Sequence, residues 1–212
     1  MTEADTAPDP MREVGNVETL KALADPTRLR ILQRLMTRDE TGELPVMSVK
    51  ELATELAEPQ TKLYRHVKQL EAVELIRSAS SRIVSGIVEQ RYQACQSDLW
   101  LGAGLTDEQK KSAEAEASVA AVLELYRSQF FAAHRAGAIA SKDTPGAEEH
   151  RKTMLGMTQS KVSRNDATSF RTRLQQLMDD LVEAEKRASD SEDTITVNVL
   201  VGYFSPDPAQ GI

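Results

Sequence analysis

A four-residue string, Ser48-Val49-Lys50-Glu51, and the proline at position 59 confine the centre of this chain to two short helices joined by a tight turn. The string is a capping box: the serine oxygen accepts from an orphan backbone N–H of the first turn, and the glutamate reaches back to the cap. Val49, Leu52, Ala53 and Leu56 then recur at i, i+3, i+4 and i+7, the apolar stripe of a two-turn helix. Pro59 disfavours helical geometry at Glu58, so this helix ends there and another begins, running to about Ala72. Two helices so spaced make a helix-turn-helix.

On the second helix, Leu63, Val67 and Leu70 fall on one narrow stripe at 100° per residue. Thr61, Lys62, Arg65, Lys68 and Gln69 occupy the opposite face, flanked by Tyr64 and His66, with Gln60 at the helix start. Such a face offers the positive charge and hydrogen-bond donors that phosphates and guanine edges accept. Two segments follow with β-prone ends and a serine- and glycine-containing centre, Leu75–Ala79 and Ile87–Tyr92. They read as a hairpin, and a hairpin directly after a helix-turn-helix is a wing. From it Arg77 and Arg82 would reach the DNA backbone or the adjacent minor groove.

Charge fits only when counted locally. The 212 residues carry 26 bases against 33 acids, a net charge of −7 that argues against a nucleic-acid partner. Screening confines charge to about 8 Å at physiological salt, however, and residues 59–95 hold six bases against three acids. The first ten residues hold three acids and no base, and with two prolines and no periodicity the tail 1–15 is expected to be disordered. Before the capping box, Val17, Leu20, Leu23 and Ala24 repeat at helical spacing. Asp25-Pro26 then caps a further helix whose stripe is Leu29, Leu32, Leu35 and Met36, with Arg28, Arg30 and Arg34 largely off it.

These residues resemble a known family. LKALADPTRLRILQRLM at 20–36, SVKELATEL at 48–56 and EPQTKLYRHVKQLEAVELI at 58–76 are similar to the ArsR-like winged helix-turn-helix regulators, and RIVSGIVEQRYQA at 82–94 resembles the wing of a metal-independent branch with a longer C-terminal domain. The resemblance covers roughly residues 16–95 and implies a dimeric transcriptional regulator, often a repressor. Two departures stand out. The helix carrying a Cys-x-Cys metal site in many relatives here reads Glu51-Leu52-Ala53-Thr54-Glu55-Leu56, so metal sensing there is unsupported. Glu74 stands where the family commonly has glycine, which predicts either a different chain exit or a left-handed glutamate costing about 1 kcal/mol.

The C-terminal half reads as α-β-α-β with long helices: a helix from Thr106 to about Arg135, a loop 136–149, a strand over Thr153–Val162, a helix capped by Ser163, and a strand from Ile195 to Phe204. The second helix repeats Phe170, Leu174, Leu177, Leu181 and Ala184 at spacings of 4, 3, 4 and 3, a heptad-like seam. Two strands offer too little surface to bury such a half, so dimerisation is expected.

The fold class is therefore mostly α with small β: a winged helix-turn-helix over 16–98 and a dimerisation or effector region over 99–212. The expected function is sequence-specific DNA binding at a pseudo-palindromic operator by a homodimer, with Gln60, Thr61, Lys62, Tyr64, Arg65, His66, Lys68, Arg77 and Arg82 as contacts. A competing reading makes the winged helix and the long helices a platform for another protein. His66 lies at the edge of the buried stripe and fits packing or a phosphate as well as a base. Trp100, Tyr126, Phe130, Phe131, Tyr203 and Phe204 would line either a small-molecule effector pocket or a core and dimer interface. Cys95, His134 and His150 have no metal-ligand spacing. No catalytic motif, cofactor, signal peptide or membrane span is expected, and the location is cytoplasmic.

Overall fold

The computed structural model describes residues 9–39, 42–101, 105–188 and 194–205. It divides into two compact units, 1–128 and 129–212. Unit 1 begins with β1 (Asp9–Val14), α1 (Val17–Leu23) and α2 (Pro26–Met36). Then come β2 (Met47–Ser48), α3 (Val49–Leu56), α4 (Gln60–Ala72), β3 (Ile76–Val84), β4 (Ile87–Ala94) and β5 (Gln96–Leu101). A one-turn helix α5 (Asp107–Lys110) precedes the long α6 (Ala113–Arg135), within which the unit boundary falls, and α7 (Arg164–Ala188) lies in unit 2.

The helix starts follow the capping chemistry. Asn16 accepts from Thr19 N, Asp25 from Arg28 N with Pro26 at the first position, and Ser48 with Glu51 forms the reciprocal box at 3.2 and 2.7 Å. The core of unit 1 gathers Leu20 and Leu23 of α1, Ile31, Leu32 and Leu35 of α2, Leu52 of α3, and Leu63, Val67 and Leu70 of α4, none more than 1% exposed. Leu75 and Ile76 seal it below the hairpin.

The hairpin is β3–β4, antiparallel from Ile76 beside Ala94 to Val84 beside Ile87, with an irregularity between Ser78 and Ser80. Ser85 and Gly86 close it at φ 53° and 79°, the two positive angles of a type I′ turn. The two-residue β2 adds a third strand against β4.

Several expectations are corrected. Part of the stretch expected to be disordered, 9–14, is β1, which pairs in parallel with β5 from Asp9 beside Gln96 to Val14 beside Leu101; residues 1–8 lie outside the described residues. The long helix expected from Thr106 is broken at Lys111–Ser112: the Ser112 oxygen accepts from Ala115 N and starts α6 as its own cap. Neither C-terminal strand forms. Over 154–163 and 194–205 there is no ladder, and Met154, Leu155, Met157, Ile195, Val197 and Val199 stay exposed. Alternation only divides a segment into two faces; a strand also needs a neighbour to take its N–H and C=O groups. Among the described residues, the segment 136–163 forms one β-bridge, Ala140–Lys152.

Glu74 is left-handed, at φ 57°. It occupies the first position beyond the cap of a Schellman motif, in which Leu75 N donates to Leu70 O at 3.1 Å and Glu74 N to Glu71 O at 3.0 Å. Arg12 of β1 braces this turn by donating to the carbonyls of Val73, at 3.1 Å, and Glu74. Because a side chain in this conformation costs about 1 kcal/mol relative to glycine, Glu74→Gly is expected to stabilise the protein by about that much in urea denaturation. An unchanged or lowered midpoint would show that the Glu74 side chain offsets its own strain.

Candidate nucleic-acid interface

The exposed surface of α4 is set by what the other side of the helix buries. Leu63, Val67 and Leu70 are inaccessible, which turns Gln60, Thr61, Tyr64, Arg65 and Lys68 outward. Polar clamps hold the helix in this orientation. Arg28 of α2 donates to Gln69 Oε1 at 2.8 Å and to the Lys21 carbonyl at 2.7 Å, joining α1, α2 and α4. Arg30 reaches Glu58 in the turn before α4 at 3.1 Å and the Leu56 carbonyl at the end of α3 at 2.7 Å, and Arg34 pairs with Glu55 of α3. The arginines off the α2 stripe thus fasten the helix-turn-helix together.

The predicted contact residues differ in how they are engaged. Lys62 pairs with Glu58 at 2.9 Å, one turn earlier, and that hydrogen bond together with Arg30 holds the Glu58 carboxyl below its usual range. Lys68 pairs with Glu71 at 2.6 Å and lies 5.5 Å from the centre of the Tyr92 ring; the bond to Glu71 raises its pKa. Gln60 donates to Tyr64 Oη at 3.1 Å. Arg65 is exposed, and among the described residues it makes no hydrogen bond or ion pair.

His66 is placed inward, its side chain only 14% exposed and Nδ1 3.6 Å from Asp25 Oδ1, without a hydrogen bond. Burial lowers its pKa; Asp25 opposes that shift, while Arg28, Lys62 and Arg65 add to it.

The wing cations are drawn into the fold. Arg82 bridges Glu89 at 2.6 Å and Glu51 at 3.0 Å, and the bond to Glu89 raises its pKa further. Burial pushes the Glu51 carboxyl up, but the N–H and hydroxyl of Ser48 with Arg91 and Arg82 outweigh it and hold the group below its usual range. Arg77 is half-buried, donates to Gln93 at 3.2 Å and lines an open cleft of about 590 Å³ with Arg12, Glu71, Glu74 and Cys95. Burial raises the Cys95 thiol pKa. The hairpin tip itself is apolar, with Ile83, Val84, Ile87 and Val88 exposed.

Sequence reading placed the start of α4 at Pro59 but not the lack of a side-chain cap there. Pro59 supplies no side-chain acceptor there; Lys62 N and Leu63 N donate to the Pro59 carbonyl at 3.0 and 3.3 Å, and among the described residues the N–H groups of Gln60 and Thr61 have no cap and are open to an anion. The signal was legible, since proline at a cap position has nothing to cap with. Of the aromatic set, Phe130–Phe131 and Phe170–Tyr203 form ring pairs, and none of the six lines the cleft. Among the described residues there is no cluster of three or more potential metal-ligating side chains, and no helix is long and apolar enough to cross a membrane.

Comparison with known proteins agrees with this geometry over part of the chain. Residues 23–79, from the end of α1 into β3, match the family model of a helix-turn-helix domain. The chain carries a helix-turn-helix domain. No curated protein matches it. In this helix-turn-helix, α3 is the first helix, α4 the second, and β3–β4 the wing.

The His66 environment yields a test by pH. In the unfolded chain the imidazole titrates near about pH 6.5, and in the fold it titrates lower. Its contribution is present above the unfolded value and is lost as pH falls through the folded one, because the unfolded state then binds more protons. Urea midpoints are therefore expected to fall between about pH 7.5 and 5.5, with a smaller fall in His66→Gln. Equal falls in both proteins would assign the dependence to other groups.

Proposed function

We propose that the protein is a sequence-specific DNA-binding transcription regulator, acting in the cytoplasm as a homodimer on a pseudo-palindromic operator. The observation that carries this reading is α4: a helix buried to the atom on one face and, on the other, presenting Thr61, Tyr64, Arg65 and Lys68 from the second position of a helix-turn-helix. In this reading α4 of each subunit enters successive major grooves, about 34–36 Å apart. Arg65, without a hydrogen bond or ion pair among the described residues, reads a guanine edge or grips a phosphate, and the uncapped start of α4 receives a backbone phosphate.

Lys62, Lys68 and Arg82 contribute by exchanging surface carboxylates for phosphates. Exposed ion pairs are worth about 0–1 kcal/mol, so the exchange is inexpensive. His66 acts in packing α4 against the α2 cap, and Arg77 supports the base of the wing. The resemblance to ArsR-like regulators favours repression by occupation of the promoter. With Glu51–Leu56 lacking cysteine, the reading needs no metal at that helix.

A second reading, docking of another protein chain, is favoured by the apolar wing tip and by the exposed apolar residues of 154–204. Salt separates the two. Counterion release makes log affinity fall linearly with log salt for DNA, whereas an apolar docking surface has little slope.

The test is fluorescence anisotropy on a labelled duplex from upstream of the protein's own gene, beside a scrambled duplex, at several salt concentrations. Preferential, salt-sensitive binding is expected, and absence of binding at low salt would sink the proposal. Arg65→Ala is expected to weaken binding by about 1–3 kcal/mol with relaxed preference at one base pair if it reads a base, and evenly across sequences if it touches phosphate. Unchanged affinity would remove Arg65 from the interface.

A further inference from the structure

The longest of the described helices, α7, leaves much of its apolar seam open within the chain: Tyr203 lies against one end of it, its ring beside Phe170 and its hydroxyl donating to the Ala167 carbonyl at 3.2 Å, while Leu177 further along stays exposed. Phe170, Leu177 and Leu181 are 53%, 61% and 36% exposed, although they lie at heptad spacing with Leu174 and Ala184. Apolar residues in such a row, on a helix of 25 residues, are the seam of a coiled coil that lacks its second strand.

The charges beside the seam name that strand. Along one flank, at every seventh residue, stand Asp166, Arg173, Asp180 and Arg187, alternating in sign and all exposed. We propose that α7 pairs antiparallel with α7 of a second copy of this chain, about a two-fold axis that passes between Gln175 and Gln176.

In that register Leu174 packs against the second copy's Leu177, and Phe170 against its Leu181. Like flanks meet in an antiparallel pair, so Arg173 faces the second copy's Asp180 and Asp166 faces its Arg187. On the other flank Arg164 faces Glu185. Two-fold symmetry repeats each contact, and every charged pair is attractive. Asp166 already accepts the Ser163 hydroxyl at 2.6 Å, which leaves a carboxylate capacity for a second donor.

The alternatives are penalised by the same residues. Sliding the antiparallel pair by one heptad in either direction sets Arg173 against Arg173 or Arg187, and Asp180 against Asp166 or Asp180. A parallel pair in register places Asp180 beside Glu185, and this repulsion cancels the attraction of Asp166 for Arg171. Flanking charges set orientation and register in coiled coils, and here one arrangement satisfies all of them. The pairing would supply the dimer that the DNA-binding reading calls for, but it stands on α7 alone and its test involves no DNA.

The test is sedimentation velocity of the full chain at micromolar concentration, with Arg173→Asp, Asp180→Arg and an equimolar mixture of the two variants. Each single change turns attraction into repulsion at both symmetry-related contacts, so each variant is expected to dimerise about tenfold more weakly than the parent protein. In the mixture the two variants pair with each other. Their substituted side chains then face one another with opposite charge, the unaltered Asp180 of one chain faces the unaltered Arg173 of the other, and dimerisation returns to the parent level. Recovery on mixing also shows that both variants are folded. A monomeric parent, single variants that dimerise as well as the parent, or a mixture that fails to recover would each overturn the proposal. So would an Asp180→Arg variant that dimerises more tightly, the signature of a parallel pair.

Discussion

Everything α4 presents to solvent depends on the burial of three side chains on its other face. Leu63, Val67 and Leu70 are wholly inaccessible, and burial of such a side chain stabilises by about 1.5–3 kcal/mol. The ion pairs around α4 are worth about 0–1 kcal/mol each. The apolar stripe therefore sets the rotation of the helix, and the polar clamps from Arg28 and Arg30 refine its position. A helix rotated by half a turn would carry Arg65 into the core, so the charge pattern and the apolar pattern specify the same orientation.

The same acids that help fold the domain mask its cations. Glu51 completes the cap of α3 and also holds Arg82 and Arg91; Glu58 sits between Arg30 and Lys62; Glu71 holds Lys68. The basic island of residues 59–95 is in this way partly neutralised within the chain, leaving Arg65 as the cation of α4 without an ion pair among the described residues. A phosphate backbone, with its dense charge, competes well against single exposed carboxylates.

Unit 2 is organised differently from unit 1. Its apolar residues lie at the end of α6, in the seam of α7 and in two segments without a ladder, and much of that surface stays open. The alternating flank of α7 gives one part of this surface a self-complementary partner. The stretch Ile195–Phe204 alternates as a strand does, yet it has no ladder and its valines stay exposed.

The sequence by itself determined the local features of the helix-turn-helix. The caps at Asp25 and Ser48, the stop before Pro59 and the buried stripes of α2, α3 and α4 are all written within a few residues of where they act. The hairpin is local in the same way, although β3 runs on to Val84 and narrows the turn from the expected stretch 80–86 to Ser85-Gly86; each of these features is a bond or a steric limit between near neighbours. Tertiary structure decided what distant residues do to one another. It paired β1 with β5 across most of the N-terminal unit, fastened Arg12 to the Glu74 turn, folded Arg82 back onto Glu51 and turned His66 inward to Asp25. It also left the C-terminal alternation without a strand to join. A ladder, an ion pair or a buried imidazole depends on which surfaces meet, and no periodicity in one segment specifies the surface that another segment brings to it.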